Sequence, residues 1–251
     1  MCSEYHTPQN PKALEKILGV PFLDKTGGFD WGSKIHFYKN GPVLQKSPQG
    51  EIEMVIKSFP QSPMPNARLS GLGSQTDSSD LESDLEHAQV RRIYETKYWK
   101  DGFANHPVLV PMSSFTEFAY WGPEIGTAQA FRVPKQEAFV AAGIAMKPFT
   151  PKGPAFSAYS ILTHTATEQM LRYHFRLIVL LKNKAAAGYL EEMSPEDRFR
   201  YVIENRYTGP LEHEKLRDMA KGWEKRVETQ THKLERERHY REVLDKNQVE
   251  G

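Results

Sequence analysis

The segment Val108-Leu109-Val110-Pro111, separated by three residues from Phe115-Thr116-Glu117-Phe118, decides the fold class of this 251-residue chain. Both runs are rich in β-branched and aromatic residues, which suit the pleated surface of a sheet. We predict one strand from Val108 to Val110 and a second from Phe115 to Trp121. By strand alternation alone, Glu117 would be a charge on the solvent-facing side of the second strand.

Short strand signals continue on both sides of this segment. Runs of strand-forming residues bounded by Gly, Pro and Asn predict further strands at residues 35–38, 42–45, 51–57, 138–146, 159–163 and 176–181. Many short strands with only a few helices between them are typical of an α+β fold. We therefore predict a strand-rich α+β domain over residues 1–192.

Capping residues mark three helix starts in this domain. Asn10-Pro11 precedes a short apolar repeat. Ser79-Asp80-Leu81-Glu82 has the pattern of a capping box and predicts a polar helix, inside a polar loop and helix insertion at about 69–99. A second capping box, Thr165-Ala166-Thr167-Glu168, predicts a brief helix that ends near His174.

The last quarter of the chain is more charged. Ser194-Pro195-Glu196-Asp197 combines a hydroxyl cap, a proline in the first turn and acids against the helix dipole. After a break at Tyr207-Thr208-Gly209-Pro210, an apolar stripe predicts one long helix; its members are Leu216, Met219, Trp223, Val227 and Leu234. Basic residues alternate with Glu along it, which indicates a solvated face rather than a DNA-binding patch. We predict a charged helical extension over 193–251 that packs on the domain rather than forming a coiled-coil dimer.

Composition excludes several classes of protein. The chain has no run of about 18 apolar residues and no apolar secretory leader, so we expect neither a membrane span nor a membrane partner. The net charge of +1 leaves no global basic surface, so any nucleic-acid site must be local. Phosphate-loop, zinc-protease and serine-elbow motifs are absent, and the nine His residues lack metal-ligand spacing. We therefore expect no cofactor and no metal.

Cys2 is the only cysteine and directly follows Met1. A lone cysteine cannot form an internal disulfide, which favours a reducing, cytoplasmic compartment. Removal of Met1 would leave one residue with both an α-amine, of pKa about 7.7–8.0, and a thiol, of pKa about 8.5. Such a pair suits attack on a carbonyl, amine first and thiol second, to close a thiazolidine ring. The alternative is a cysteine without a role in a frayed N-terminus.

Four motifs follow one another along the chain: Cys2; Asn66-Ala67-Arg68; Val108–Pro111 with Phe115–Phe118; and Ile161-Leu162-Thr163 with His174-Phe175-Arg176. Together with Ala142-Gly143 they resemble the SRAP family, the SOS response-associated peptidase domain. The resemblance covers residues 2–181 and leaves out the tail after about residue 192. It implies a curved, barrel-like antiparallel sheet with peripheral helices, and a role in DNA repair as an abasic-site processing protein.

The resemblance also implies roles for particular residues. Cys2 resembles the nucleophile that condenses with the aldehyde of an abasic deoxyribose in single-stranded DNA. Glu117 matches the family's active-site acid, His174 the histidine that protonates the sugar ring oxygen, and Asn66 the amide that orients amine or sugar. The nucleic-acid-binding residues implied are Arg68 and Arg176, whose guanidinium groups suit phosphates.

The sequence departs from the family pattern at the DNA-binding rim, namely at Ser3, Glu4, Ile56 and Phe118. Glu4 replaces a phosphate-binding arginine, so we expect it to weaken DNA binding and Glu4→Arg to tighten it. Ile56 stands where the family has a tryptophan, and loss of base stacking costs roughly 1–3 kcal/mol per base. We expect a divergent bacterial or phage-encoded protein, in the cytoplasm rather than the nucleus.

Three functions remain open at this point. The first is a lyase-like enzyme that forms a thiazolidine crosslink with abasic sites. The second is a hydrolase, an N-terminal-nucleophile cysteine peptidase that uses the same Cys2 with Glu117 or His174 as base and acts on its own leader or on other peptides. The third is a non-catalytic module that binds nucleic acid or protein on the same fold.

Overall fold

The computed structural model describes residues 4–37, 39–59, 100–146 and 157–235. Within these ranges, two larger β-sheets pack against each other, a small two-stranded sheet lies beside them, and helices cover the second sheet. This confirms the predicted strand-rich α+β class. None of the described helices is long and apolar enough to cross a membrane.

The first sheet contains both the first and the last strand of the described chain. Its strand order is β13-β8-β7-β1-β3, and every neighbouring pair is antiparallel. The strands are β1 (Glu4–His6), β3 (Lys34–His36), β7 (Ser114–Phe118), β8 (Thr127–Arg132) and β13 (Glu212–Asp218). The N-terminal strand β1 is therefore an inner strand, whereas β13 lies at an edge.

The second sheet closes on itself. Its order is β10-β9-β6-β4-β5-β2, and β10 also pairs with β5 through Ala158 and Ser58, which makes the sheet barrel-like. The strands are β2 (Leu23–Asp24), β4 (Asn40–Lys46), β5 (Ile52–Ser58), β6 (Pro107–Met112), β9 (Phe139–Met146) and β10 (Ala158–Ile161). Closure of this kind removes exposed strand edges.

The remaining elements are short. The small sheet pairs β11 (Thr163–Thr165) with β12 (Arg176–Ile178). The helices are α1 (Ala13–Leu18), α2 (Lys100–Asn105), α3 (Glu168–Leu171) and α4 (Pro195–Asn205), with 3-10 turns at Ala187–Leu190 and Trp223–Arg226. A further helical segment covers residues 227–235.

Strand alternation divides the interior into two apolar cores. Along β9, Phe139 and Ala141 face the core between the sheets, whereas Val140 and Ala142 face the core under the helices. Because β9 is covered on both faces, its residues are all buried. Strand β9 therefore packs against the first sheet on one face and against the helices on the other.

Several local predictions are confirmed. The predicted strands beginning near residues 35, 42, 51, 108, 115, 138, 159 and 176 are all present, and α1 lies in the predicted helix. Ser194 caps α4, since its Oγ accepts from the amide of Asp197 at 3.0 Å. Strand β8 was not predicted. The predicted helix within 69–99 lies outside the described residues.

Two local predictions are wrong. The brief helix before His174 begins after Thr167, whose side chain makes no capping bond, so Thr165 does not start a capping box. The long helix after Pro210 is also wrong over its first part, because Glu212–Asp218 forms strand β13 against β8. Glu, Lys, Leu and Arg favour helix, but an edge of the sheet offers a full row of backbone partners, and tertiary context outweighs propensity. The division of the chain at residue 192 stays a prediction.

Arg198 ties α4 to the domain and supports a prediction about stability. Its guanidinium is buried and donates to the carbonyls of Tyr189 at 2.5 Å, Glu191 at 3.0 Å and Ala104 at 3.3 Å. Arg198→Met removes these donors and leaves buried carbonyls without partners, so we expect a loss of about 2–4 kcal/mol in the free energy of unfolding. Urea denaturation measures this loss. The matched control is Arg200→Met on the same helix, an exposed side chain whose loss should cost less than about 0.5 kcal/mol.

Candidate active site

The N-terminal strand places Glu4, the first described residue, next to the strand that carries Glu117. In the register between β1 and β7, Glu4 is the partner of Thr116, the residue that precedes Glu117. Cys2 is two residues before Glu4 and lies outside the described residues. Two residues of chain span at most about 7 Å, so the register limits how far Cys2 can lie from this end of β7.

Glu117 is buried, which differs from the exposed position that alternation alone predicts. Its exposed fraction is 1%, and it shares a strand face with Phe115 of the core between the sheets. Burial raises the pKa of the Glu117 carboxyl, while nearby positive charge, to which Arg176 contributes, acts in the opposite direction. A buried carboxyl with a raised pKa is suited to accept and return protons near neutral pH.

Arg176 begins β12, and its guanidinium is fixed inside the fold. Nε donates to Thr163 Oγ1 at 3.0 Å, and Nη2 donates to the Thr163 carbonyl at 2.7 Å. The exposed fraction of Arg176 is 1%. Its charge acts on both Glu117 and His174, and its backbone contacts the His174 ring. The phosphate contact of Arg176 stays a prediction, and its described contacts are those of a buried positioning residue.

His174 lies between α3 and β12 and is held by the backbone. Its amide donates to the carbonyl of Met170 at 2.8 Å. Its ring Nδ1 lies 3.1 Å from the amide nitrogen and 3.0 Å from the carbonyl oxygen of Arg176, so the backbone orients the imidazole in either tautomer. Burial lowers the pKa of His174 well below its usual value, and the charges of Arg176 and Lys233 lower it further. The ring is therefore neutral at pH 7.

A tryptophan connects the strand that carries Glu117 with the helix that precedes His174. Trp121 follows β7, and its Nε1 donates to the carbonyl of Leu171, the last residue of α3, at 2.7 Å. This bond joins the chain just after the Glu117 strand to the helix before His174. The two candidate catalytic residues, Glu117 and His174, are 57 residues apart in sequence. Sequence alone gave no reason to pair them except the family resemblance.

The helical segment over residues 227–235 also reaches the site. Lys233 Nζ lies 5.5 Å from the centroid of the Phe175 ring, and that ring stacks on His174 with centroids 4.5 Å apart. Leu234 is buried and anchors the segment. The apolar stripe in the sequence predicts that this helix packs on the domain, but it gives no signal of a contact with the site.

Glu4 does not stand as an isolated negative charge. Arg217 on β13 donates two hydrogen bonds to its carboxylate, from Nη1 to Oε1 at 2.8 Å and from Nη2 to Oε2 at 3.0 Å. Burial acts to raise the pKa of Glu4, but the hydrogen bonds and charge of Arg217 outweigh it and hold that pKa below its usual value. Glu4→Arg would set two cations against each other at this position, and the expected tightening of DNA binding by this change stays a prediction.

The other predicted residues divide into two groups. Cys2, Ser3, Asn66 and Arg68 lie outside the described residues. Ile56 in β5 and Phe118 at the end of β7 are half-buried. Nothing in their contacts assigns them a function, so their effect on DNA binding stays a prediction.

Three residues around the site were missed by sequence reasoning: Thr163, Arg217 and Lys233. Thr163 was only one residue of a quoted motif, and its bond to Arg176 spans the two strands of the small sheet. Arg217 belonged to a segment predicted as helix, so its contact with residue 4 had no sequence signal. Within the described ranges, no group of His, Cys, Asp and Glu side chains is arranged to hold a metal.

Comparisons with known proteins identify the family of the chain. A family model described as SOS response associated peptidase (SRAP) matches residues 1–218, a range that includes β13 and continues past residue 192. A comparison with curated proteins gives no match.

Solved structures share the fold at low identity. A crystal structure of a protein from Bordetella bronchiseptica has a TM-score of 0.60 at 15% identity, covering 86% of this chain and 100% of that one. A protein from Bacteroides thetaiotaomicron has a TM-score of 0.61 at 12% identity, covering 86% and 92% of the two chains. A phage-related protein from Bordetella bronchiseptica has a TM-score of 0.58 at 12% identity, covering 86% and 95%. At these identities the likeness concerns the fold alone.

Proposed function

Because the chain belongs to the SRAP family of SOS response associated peptidase domains, we propose that it crosslinks itself to abasic sites in single-stranded DNA through Cys2. The bond formed is a thiazolidine between the N-terminal residue and the ring-opened sugar. No metal or cofactor takes part in this proposal, since amine, thiol and proton carriers are all supplied by the chain.

The observation that carries the proposal is that β1 pairs with β7, the strand that contains Glu117. Chain connectivity keeps Cys2 within about 7 Å of Glu4, whose partner Thr116 directly precedes the buried Glu117. A carboxyl that is buried against a core, with its pKa raised, costs stability, which indicates that it serves a purpose other than stability. Proton transfer to and from an N-terminal amine is such a purpose.

The crosslink is a condensation in which atoms balance. The Cys2 amine attacks the aldehyde carbon of the open sugar and gives a carbinolamine, which loses water to form an imine. The thiol sulfur then adds to the imine carbon, and its proton passes to the nitrogen. Glu117 accepts a proton from the ammonium group and returns it to the departing hydroxyl. One water leaves, and no oxidant or reductant is needed.

His174 supports the preceding step, in which the closed sugar opens. Ring opening moves a proton from the anomeric hydroxyl to the ring oxygen. Because the lowered pKa keeps the imidazole neutral, His174 first takes the hydroxyl proton and then delivers it to the ring oxygen. Arg176 holds the histidine and acts electrostatically on both groups.

The proposal is tested by mixing the protein with a single-stranded oligonucleotide that carries one abasic site. We expect an adduct that survives denaturing electrophoresis without borohydride, because the thiol traps the imine. Intact mass should equal protein plus DNA less one water, with Met1 removed. An intact oligonucleotide of the same sequence is the control and should give no adduct.

Two other results would each point to a different function. Cleavage of peptide substrates without an adduct would favour the cysteine peptidase. Reversible DNA binding without adduct or cleavage would favour the binding module. A protein that keeps Met1 quantitatively and still crosslinks at full rate would contradict the chemistry, because its reactive amine would be blocked.

A further inference from the structure

The first and last strands of the five-stranded sheet are joined by an ion pair that crosses the sheet. Glu4 is the first described residue of β1, and Arg217 belongs to the edge strand β13. Strands β7 and β8 lie between them. With strands about 4.8 Å apart, the two backbones are roughly 14 Å from each other, so both side chains must extend across the sheet.

The residues between the two partners make this crossing possible. Glu4 pairs with Thr116, and Thr116 pairs with Ala130, so these side chains share one face. Arg217 pairs with Ala128, which lies on that same face two residues from Ala130. Both alanines end at Cβ and leave room for the guanidinium to pass over β8.

The two side chains of the Glu4–Arg217 pair differ in exposure, and their contact is bidentate. The Glu4 side chain is 9% exposed, whereas that of Arg217 is 44% exposed. Two parallel bonds from a planar guanidinium fix the orientation of the carboxylate as well as its position. Lys34 on β3 adds a second positive charge near Glu4. A short inner strand is thereby anchored at the end from which the chain leads to Cys2.

We propose that Arg217 is a positioning residue for the N-terminal nucleophile, and that its bidentate bond to Glu4 holds β1 so that Cys2 is presented beside Glu117. This inference rests on the proposed function for its catalytic consequence. Its structural part, that Arg217 controls the environment of Cys2, can be measured separately.

The same sheet offers a matched control pair. Arg132 on β8 and Glu214 on β13 form an ion pair that also holds β13 to the sheet; the charge of Arg132 acts on His6 of β1, but neither partner belongs to the Glu4–Arg217 ion pair. Both of its side chains are exposed. Reversing either of these charges tests the loss of a β13 ion pair without disturbing Glu4.

The experiment is a charge exchange with two readouts. Glu4→Arg, Arg217→Glu and the double exchange are compared with Arg132→Glu, Glu214→Arg and their double exchange. Since Cys2 is the only cysteine, the rate of iodoacetamide alkylation reports on its environment alone. The rate of adduct formation with abasic DNA reports on the reaction of Cys2 with the sugar. Thermal melting shows that each variant is folded.

We expect each single change at Glu4 or Arg217 to alter the alkylation rate by about threefold or more and to slow crosslinking about tenfold. The double exchange should recover both rates, because the pair is restored with reversed polarity. The control changes should leave both rates near the parent value. Equal effects from the control pair, or no recovery in the double exchange, would overturn the positioning role. If the parent forms no adduct, the proposed function fails, while alkylation still decides the role of Arg217.

Discussion

Cys2→Ala is expected to abolish the adduct that survives denaturing electrophoresis. Alanine keeps the α-amine after Met1 is removed, so an imine with the abasic aldehyde can still form. Without a thiol the imine is not trapped, and it hydrolyses or eliminates the adjoining phosphate. We therefore expect a covalent product from Cys2→Ala only when borohydride is present, together with some strand cleavage. Gel electrophoresis with and without borohydride measures both.

Cys2→Ser is the control for this loss. It keeps an amine and a nucleophilic atom at the same place, but oxygen gives a less stable five-membered ring, so its adduct should decay faster than that of the parent. A Cys2→Ala protein that crosslinks as fast and as stably as the parent would exclude the thiazolidine. The binding-module function would then take its place.

Glu117→Gln is expected to slow crosslinking by about 10²–10³-fold while DNA affinity stays nearly unchanged. Glutamine keeps the shape of the side chain but can neither accept the ammonium proton nor return it to the leaving hydroxyl. In the parent, the rate should rise as pH passes upward through the raised pKa of Glu117, because the carboxylate is the base. That limb of the profile should be missing in the variant. Single-turnover rates between pH 5 and pH 8 measure it.

Stability separates this catalytic role from a structural one. Burial raises the folded-state pKa of Glu117 above its unfolded value. The stabilising effect of the protonated form is fully present below the unfolded pKa and is lost as pH rises through the folded pKa. Glutamine stays neutral, so at pH 7 the melting temperature of Glu117→Gln should equal or exceed that of the parent. A large fall in melting temperature together with normal crosslinking would assign Glu117 a structural role instead.

Most of the local structure could be predicted from the sequence. Apolar runs marked the strands of both sheets, and Ser194 marked the start of α4, because these signals depend on residues only two to four positions apart. Strand β13 could not be predicted in this way. Its seven residues are exposed and favour helix by composition, yet backbone pairing with the edge of β8 decides their conformation.

The candidate site was predicted less completely. The family resemblance singled out Glu117, His174 and Arg176 as candidates, and in the structure the charge of Arg176 acts on the other two. It does not show Cys2, Asn66 or Arg68, whose roles remain predictions. The residues that bond these side chains, such as Thr163, which accepts from Arg176, had no sequence signal. A hydrogen bond between two strands depends on how the strands pair.

By itself, the sequence determined the strand-rich class, the Ser194 cap of α4 and the presence of one cysteine directly after Met1. Each of these depends on residue type and short-range spacing. Only the tertiary structure decided that Glu117 is buried, because the second sheet covers that face of β7 and alternation cannot tell which faces are covered. It also decided that Glu4 is paired rather than repulsive, since Arg217 is 213 residues away and reaches it only when β13 joins the sheet.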